Sequence, residues 1–111
     1  MDKLARYQQI LQQLVTRHAE LKPSHGQIES FAVCDPMNQQ YLLLDVGWDR
    51  TGRVHAVAFH ARLHDGKIWI EWDGTEPSLT EELMAEDIPG EDIVLAFYRP
   101  EYRVLAQLAE G

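Results

Sequence analysis

Apolar residues recur at steps of three and four through the first 21 positions of the chain, with glutamine pairs between them. This spacing predicts an amphipathic α-helix with one apolar face. Asp2 is a suitable N-cap, and Pro23 and Gly26 predict the end of the helix. A helix with a single apolar face must bury that face, so we expect it to cover a sheet. The stripe consists of Leu4, Tyr7, Leu11, Leu14, His18 and Leu21.

Four stretches with strand character follow the helix, and short polar turns separate them. Asp65-Gly66, between the third and fourth stretches, is a strong type I′ hairpin signal. Short connections predict an antiparallel meander, because parallel strands need long crossovers. The predicted strands are Gln27–Cys34, Gln40–Trp48, Arg53–His64 and Lys67–Trp72.

The last third of the chain predicts further short elements. Thr75 or Ser78 can cap a short second helix, Ile93–Tyr98 reads as a fifth strand, and a C-terminal helical segment follows Pro100. The fold class is therefore α+β, with helices packed against a mostly antiparallel sheet of about five strands. The length predicts that residues 1–111 form a single domain. The apolar positions of the two helices are Leu79, Leu83 and Met84, and Tyr102, Leu105 and Leu108.

The third predicted strand is apolar on both faces. Two helices can cover only one face of a sheet, so the other would expose an apolar patch of a size that monomers usually avoid. We therefore expect a homodimer, since two-fold dimers are the commonest closed assembly. The alternative is that this face binds a different protein. The residues concerned are Val54, Ala56 and Ala58 on one face and Val57, Phe59 and Leu63 on the other.

The charge is strongly acidic and unevenly distributed. Ten basic and eighteen acidic residues give a net charge of −8, and the stretch from Glu71 to Asp92 has nine acids and no Lys or Arg. Such a balance opposes direct binding to nucleic acid, which draws its affinity from Lys and Arg. It can steer a basic partner, or it can be a solvated surface. The candidate partner-binding residues are Glu81, Glu82, Glu86 and Asp87.

No catalytic, cofactor-binding or metal-binding residues are predicted. His60 and His64 lie four residues apart on a strand, about 13 Å, which is too far to share a metal ion. Cys34 lacks the basic neighbours that would make it a nucleophile. Trp48, Trp69 and Trp72 stand among acids in the sequence, so packing in the core or in an interface is favoured over stacking on bases.

The remaining features concern location. The chain has one cysteine, no apolar run of the roughly 20 residues that a membrane span requires, and no signal-peptide core at its N-terminus. We therefore expect a cytoplasmic protein that makes no contact with membranes.

Several strings, taken in order, resemble the XisI family. Resemblance extends over nearly the whole chain, and the run at 91–97 is the most recognisable part. The strings are Met1-Asp2-Lys3-Leu4, Lys22-Pro23-Ser24, Val46-Gly47-Trp48-Asp49, Asp65-Gly66-Lys67-Ile68-Trp69-Ile70, Asp73-Gly74-Thr75-Glu76, Ile88-Pro89 and Glu91-Asp92-Ile93-Val94-Leu95-Ala96-Phe97.

The resemblance implies a role in regulation without catalysis. The family is found mainly in cyanobacteria and is named for a controlling factor in programmed excision of the fdxN DNA element during heterocyst differentiation. There it works with a second small protein, XisH, alongside a site-specific recombinase. An XisH-like protein is thus the implied partner. Because XisH resembles restriction endonucleases, an inhibitor or immunity-type role stays open, as do a small enzyme and a direct DNA-binding accessory factor.

Overall fold

The N-terminal helix, α1, forms as its sequence predicts. A computed structural model of the chain describes residues 2–21, 27–75 and 78–101. α1 spans Lys3–Glu20, and the Asp2 carboxylate caps it by accepting a hydrogen bond from the Ala5 amide at 2.8 Å. Leu21 is the C-cap, whereas the predicted stop residues Pro23 and Gly26 lie outside the described residues. The buried side of α1 consists of Tyr7, Ile10, Leu11, Leu14 and Val15.

Five strands form one sheet in the order β1-β2-β3-β4-β5. The first four are antiparallel neighbours, and β5 pairs with β4 in parallel. The α+β prediction is therefore confirmed, with one parallel strand added to the predicted meander. The strands are β1 (Gln27–Asp35), β2 (Gln40–Asp49), β3 (Gly52–His64), β4 (Lys67–Asp73) and β5 (Ile93–Leu95).

A short helix carries the chain from β4 back to β5. α2 spans Leu79–Ala85 and is capped by Ser78, whose hydroxyl accepts from the Glu81 amide. β5 ends earlier than predicted, because the chain turns at its end and the Tyr98 amide donates to the Leu95 carbonyl at 3.2 Å. The predicted C-terminal helical segment, with Tyr102, Leu105 and Leu108, lies outside the described residues.

The turn between β3 and β4 also follows its sequence. Asp65 and Gly66 have φ angles of 53° and 72°. Positive φ at both central residues is what a type I′ hairpin requires. This turn places β3 and β4 side by side and thereby fixes their pairing.

A β-bulge in β3 reassigns the faces of that strand. Leu43 pairs with Phe59, and the next residue, Leu44, pairs with Val57, so Ala58 is an extra residue. The Ala58 carbonyl accepts from the Gly74 amide at 2.8 Å. Phe59 is consequently fully buried, whereas Val57 is 37% exposed on the opposite face. The prediction that Val57 shares a face with Phe59 is wrong, because the extra residue shifts the alternation by one.

Both helices pack on the same face of the sheet, and one hydrophobic core forms between them. α1 contributes Tyr7, Ile10, Leu11, Leu14 and Val15, whereas Leu4 and Leu21, at the two ends of the predicted stripe, are exposed; α2 contributes Leu79 and Leu83. Within the described residues, the opposite face has no helix over it; we call it the open face. The sheet contributes Tyr41, Leu43, Phe59, Ala61, Leu63, Ile68, Ile70, Ile93 and Leu95 to the core.

Candidate partner-binding surfaces

The four acidic residues predicted to bind a partner fall into two groups. Glu81, Glu86 and Asp87 are exposed on and just after α2, and we call these three the acidic surface. Glu82 instead contacts His18 of α1, with 2.8 Å between Oε2 and Nε2. Their side chains are only 17% and 12% exposed, so Glu82 is part of the contact between the two helices.

The backbone of α2 is held firmly beneath the acidic surface. The Arg6 guanidinium donates to the Glu86 carbonyl at 2.7 Å. The His18 ring, besides contacting Glu82, packs edge-on against Phe59 with 5.4 Å between ring centroids. The segment that carries the acidic surface is therefore held against α1 by Arg6 and His18. Its three carboxylates lie on the helix side of the sheet.

Asp92, the last acid of the run from Glu71, lies inside the protein. It is 8% exposed, and its carboxylate accepts from the Tyr7 hydroxyl at 2.5 Å and lies 3.2 Å from the Lys3 ammonium. Burial alone would raise the pKa of Asp92, but hydrogen bonds from Tyr7 and Lys3 outweigh it and hold the pKa below its usual value. Burial and the bond to Asp92 raise the pKa of Tyr7 to about 12.

The sequence does not predict this cluster, because Asp92 belongs to an acidic run that indicates surface charge. A usable signal was its position directly before the apolar run that becomes β5. The three residues tie the start of α1 to the entry of β5. They are all engaged with one another, so their arrangement indicates a structural contact.

The open face is apolar at its centre and aromatic around it. Leu42, Leu44 and Val46 on β2 and Val57 on β3 form the centre. Aromatic residues surround them on three strands, and several are well exposed: Phe31 47%, Trp48 58% and Trp72 54%. Trp69 completes this ring; it lies between the core residues Ile68 and Ile70 and so takes the opposite face.

Three of the four acids that lie near the tryptophans in the sequence, Asp45, Asp49 and Asp73, do not share the open face with them. Asp45 accepts from the Ser30 hydroxyl on the helix side, and Asp49 accepts from Thr51 within a turn. Asp73 accepts from the Leu79 amide at the start of α2. Glu71 does lie on the open face, where it pairs with Arg62 at 2.8 Å. The tryptophans thus form an exposed surface, as interface packing requires.

The histidines and the cysteine make separate contacts. His60 Nε2 lies 2.7 Å from Gln40 Oε1, and His64 pairs with Asp65 at 3.3 Å. Burial raises the pKa of the Cys34 thiol, which disfavours the nucleophilic thiolate. In the described ranges, no three or more His, Cys, Asp or Glu side chains converge to hold a metal ion.

Two further observations concern shape. The outer face of α1 carries a depression open to solvent, lined by Gln9, Gln12, Gln13, Thr16, Arg17 and Glu20. Such a shallow, single-helix depression differs from the enclosed clefts that bind small substrates. Among the described residues, no helix is both long and apolar enough to span a bilayer.

Comparison with known proteins identifies the family. The family described as "XisI protein" matches residues 1–110. The chain belongs to the XisI family. No curated protein matches the chain significantly.

Two crystal structures of XisI-type proteins, both from Anabaena variabilis, share the fold. A XisI-like protein is 30% identical with a TM-score of 0.79, and the alignment covers 92% of this chain and 94% of that one. The fdxN element excision controlling factor XisI is 33% identical with a TM-score of 0.76, covering 92% and 99%. The chain therefore shares its overall fold with both of these XisI-type structures.

Proposed function

We propose that this XisI-family chain is a non-enzymatic regulatory protein that acts by binding another protein. Its relevant relative is the structure named as an fdxN element excision controlling factor, and that likeness carries the proposal. An XisH-like protein is the proposed partner, together with a site-specific recombinase system. The geometry supports binding over catalysis because its distinctive features are two exposed surfaces. A role in excision of a DNA element would require access to DNA, so we also propose a cytoplasmic location.

The acidic surface is the proposed contact for the XisH-like partner. Its three carboxylates have no Lys or Arg within the stretch from Glu71 to Asp92. An exposed field of one sign raises the rate at which a protein of opposite charge associates. We therefore propose that the partner presents a basic patch to α2. A nuclease-like partner would carry such a patch where it binds DNA, so the same surface also suits an inhibitor or immunity-type role.

The test is the association rate of the partner with a triple variant, Glu81→Gln, Glu86→Gln and Asp87→Asn. We expect binding to an XisH-like protein to become about tenfold slower at low salt. The difference should shrink as salt rises, because screening shortens from about 30 Å at 0.01 M to about 3 Å at 1 M. Glu82 is left unchanged, since it contacts His18.

The matched control removes three exposed acids elsewhere: Glu20→Gln, Asp65→Asn and Glu101→Gln. The control changes the net charge by the same amount as the triple variant, but at positions outside the acidic surface. It should therefore slow association much less. Both variants should keep wild-type stability, because exposed charges contribute little to it. Equal rates for both variants and the wild type would show that the acidic surface only solubilises the protein.

The inhibitor alternative predicts an additional result. Adding the chain to an XisH-like protein should then suppress cleavage of DNA, and the triple variant should suppress it less. If the chain binds without affecting DNA cleavage, the regulatory role in excision is favoured.

We also propose that the chain forms a homodimer. The support is the open face, since apolar patches of this kind on soluble proteins usually mark an interaction site. Self-association and partner binding are compatible, because the acidic surface lies on the helix side of the sheet.

A further inference from the structure

We infer that the open face binds the open face of a second copy, so that two sheets stack with both acidic surfaces facing outward. This inference rests on the proposed homodimer and names its interface. Isologous contact is the usual arrangement in two-fold dimers, and each copy would cover the same residues of the other. Two sheets stacked in this way pack about 10 Å apart.

The composition of the open face is that of a protein interface. Three aliphatic side chains of β2 and Val57 of β3 form its centre. His55 and His60 flank Val57, and three tryptophans, Phe31 and two arginines lie around them. Interface cores are enriched in aromatic residues and Arg and depleted in Lys, Glu and Asp. Arg53 stacks on Trp48 with 5.6 Å from Cζ to the ring, and Arg62 on Trp69 with 5.2 Å. Each arginine therefore lies against a tryptophan of the open face.

The size of the open face suits a stable dimer. Four antiparallel strands span about 19 Å across, and nine residues of extended strand span about 30 Å. Specific interfaces bury about 800 Å² per partner. A corrugated face of about 19 by 30 Å exposes an area of that order, so one copy is enough to cover the other.

The charge of the open face allows this contact despite the net charge of −8. Arg62 and Glu71 form an ion pair on this face, where the strand register also places Glu29 of β1 and Arg53 of β3, one charge of each sign. The acidic surface lies on the other side of the sheet. Two open faces can therefore meet without strong repulsion, whereas contact between two helix sides would bring like charges together.

The chain contains its own probe for this interface. All three of its tryptophans, Trp48, Trp69 and Trp72, lie on the open face. Stacking should move them out of water, which shifts their emission to shorter wavelength and reduces quenching by acrylamide. The experiment follows both signals together with the sedimentation mass as the protein is diluted. We expect the mass to fall from dimer to monomer as the tryptophans become exposed.

The variant Val57→Lys places a charge at the centre of the open face. Val57 is 37% exposed, so folding should be retained while dimerisation weakens at least a hundredfold. Leu4→Lys is the matched control, because Leu4 is 40% exposed on α1. The control should dimerise like the wild type. Circular dichroism establishes that both variants are folded.

Two outcomes would overturn the inference. A folded Val57→Lys variant that remains dimeric with unchanged tryptophan exposure would show that another surface joins the copies. A monomer whose tryptophans are shielded at every concentration would show that residues of the same chain cover the open face. Failure of the proposed function is distinguishable, because it appears as no binding of the XisH-like protein whether the chain is dimeric or not.

Discussion

A Gly47→Ala variant is expected to lose about 3 kcal/mol or more of its unfolding free energy. Gly47 is buried in β2 with a φ of 155°, in a region that residues with a side chain rarely adopt. An added Cβ would lie 1.9 Å from the Gln27 carbonyl oxygen and 2.8 Å from the Ile28 Cα. Both are backbone atoms of β1, so the strand itself would have to move. Urea unfolding measures the loss.

Gly52→Ala is the matched control for this variant. Gly52 also has a positive φ, 123°, but nothing lies within 4 Å of an added Cβ. The free energy of unfolding of Gly52→Ala should fall by about 1 kcal/mol or somewhat more, which is the cost of backbone strain alone. The difference between the two variants then isolates the contact between β1 and β2. Equal losses would show that the close approach at Gly47 is absent in solution.

The second large effect is expected at Asp92. Asp92→Asn should lose about 2 kcal/mol at pH 7, because hydrogen bonds to a buried charge are worth about 1.5 to 3 kcal/mol. Tyr7→Phe should lose a similar amount, and the double variant should lose less than the sum, since both changes break one contact. Glu91→Gln, at an exposed neighbouring acid, should change stability by less than about 0.5 kcal/mol.

The stability that Asp92 contributes should depend on pH. The pKa of Asp92 is lowered on folding from about 3.9 in the unfolded chain, so its contribution is present above about pH 4. It is lost as pH falls through the folded-state pKa. The Asp92→Asn defect should therefore shrink in acid. A defect of the same size at pH 7 and at pH 3 would contradict the ionised pair.

The raised pKa of Tyr7 predicts a loss of stability at high pH. Its pKa rises on folding from about 10 to about 12, so its contribution is complete below pH 10. Stability should decline between pH 10 and 12, and this decline should be weaker in Tyr7→Phe. The acid slope of stability against pH reports on Asp92 and the alkaline slope reports on Tyr7. Together they test the hydrogen bond between Tyr7 and Asp92 from both partners.

Much of the fold could be predicted from local patterns. The α1 helix, the Asp2 cap and the Asp65-Gly66 turn depend on residues close together in the sequence, and all three form as expected. The apolar stripe of α1 is buried only in its middle part, since Leu4 and Leu21 at its ends are exposed. The faces of β3 could not be predicted, because no local sequence signal marks the bulge at Ala58, whose carbonyl bonds the Gly74 amide in another part of the chain. A single extra residue then placed Val57 and Phe59 on opposite faces.

The candidate surfaces were harder to predict for a related reason. Sequence neighbours usually alternate between faces, and of the acids near the tryptophans only Glu71 lies on the open face, where Arg62 pairs with it. Glu82 and Asp92 belonged to an acidic run, but their roles depend on His18 and Tyr7, far away in the chain. Glu81, Glu86, Asp87 and Glu91 of the same run, in contrast, are exposed.

We propose that this XisI-family chain works by binding an XisH-like protein. The most direct test of this proposal is the sedimentation mass of the two purified proteins mixed at about 10 µM and low salt, where an interface of standard size is expected to be occupied. We predict a complex containing two copies of each chain, because the acidic surfaces of a face-to-face dimer point outward. Separate sedimentation of the two proteins under these conditions would contradict the account.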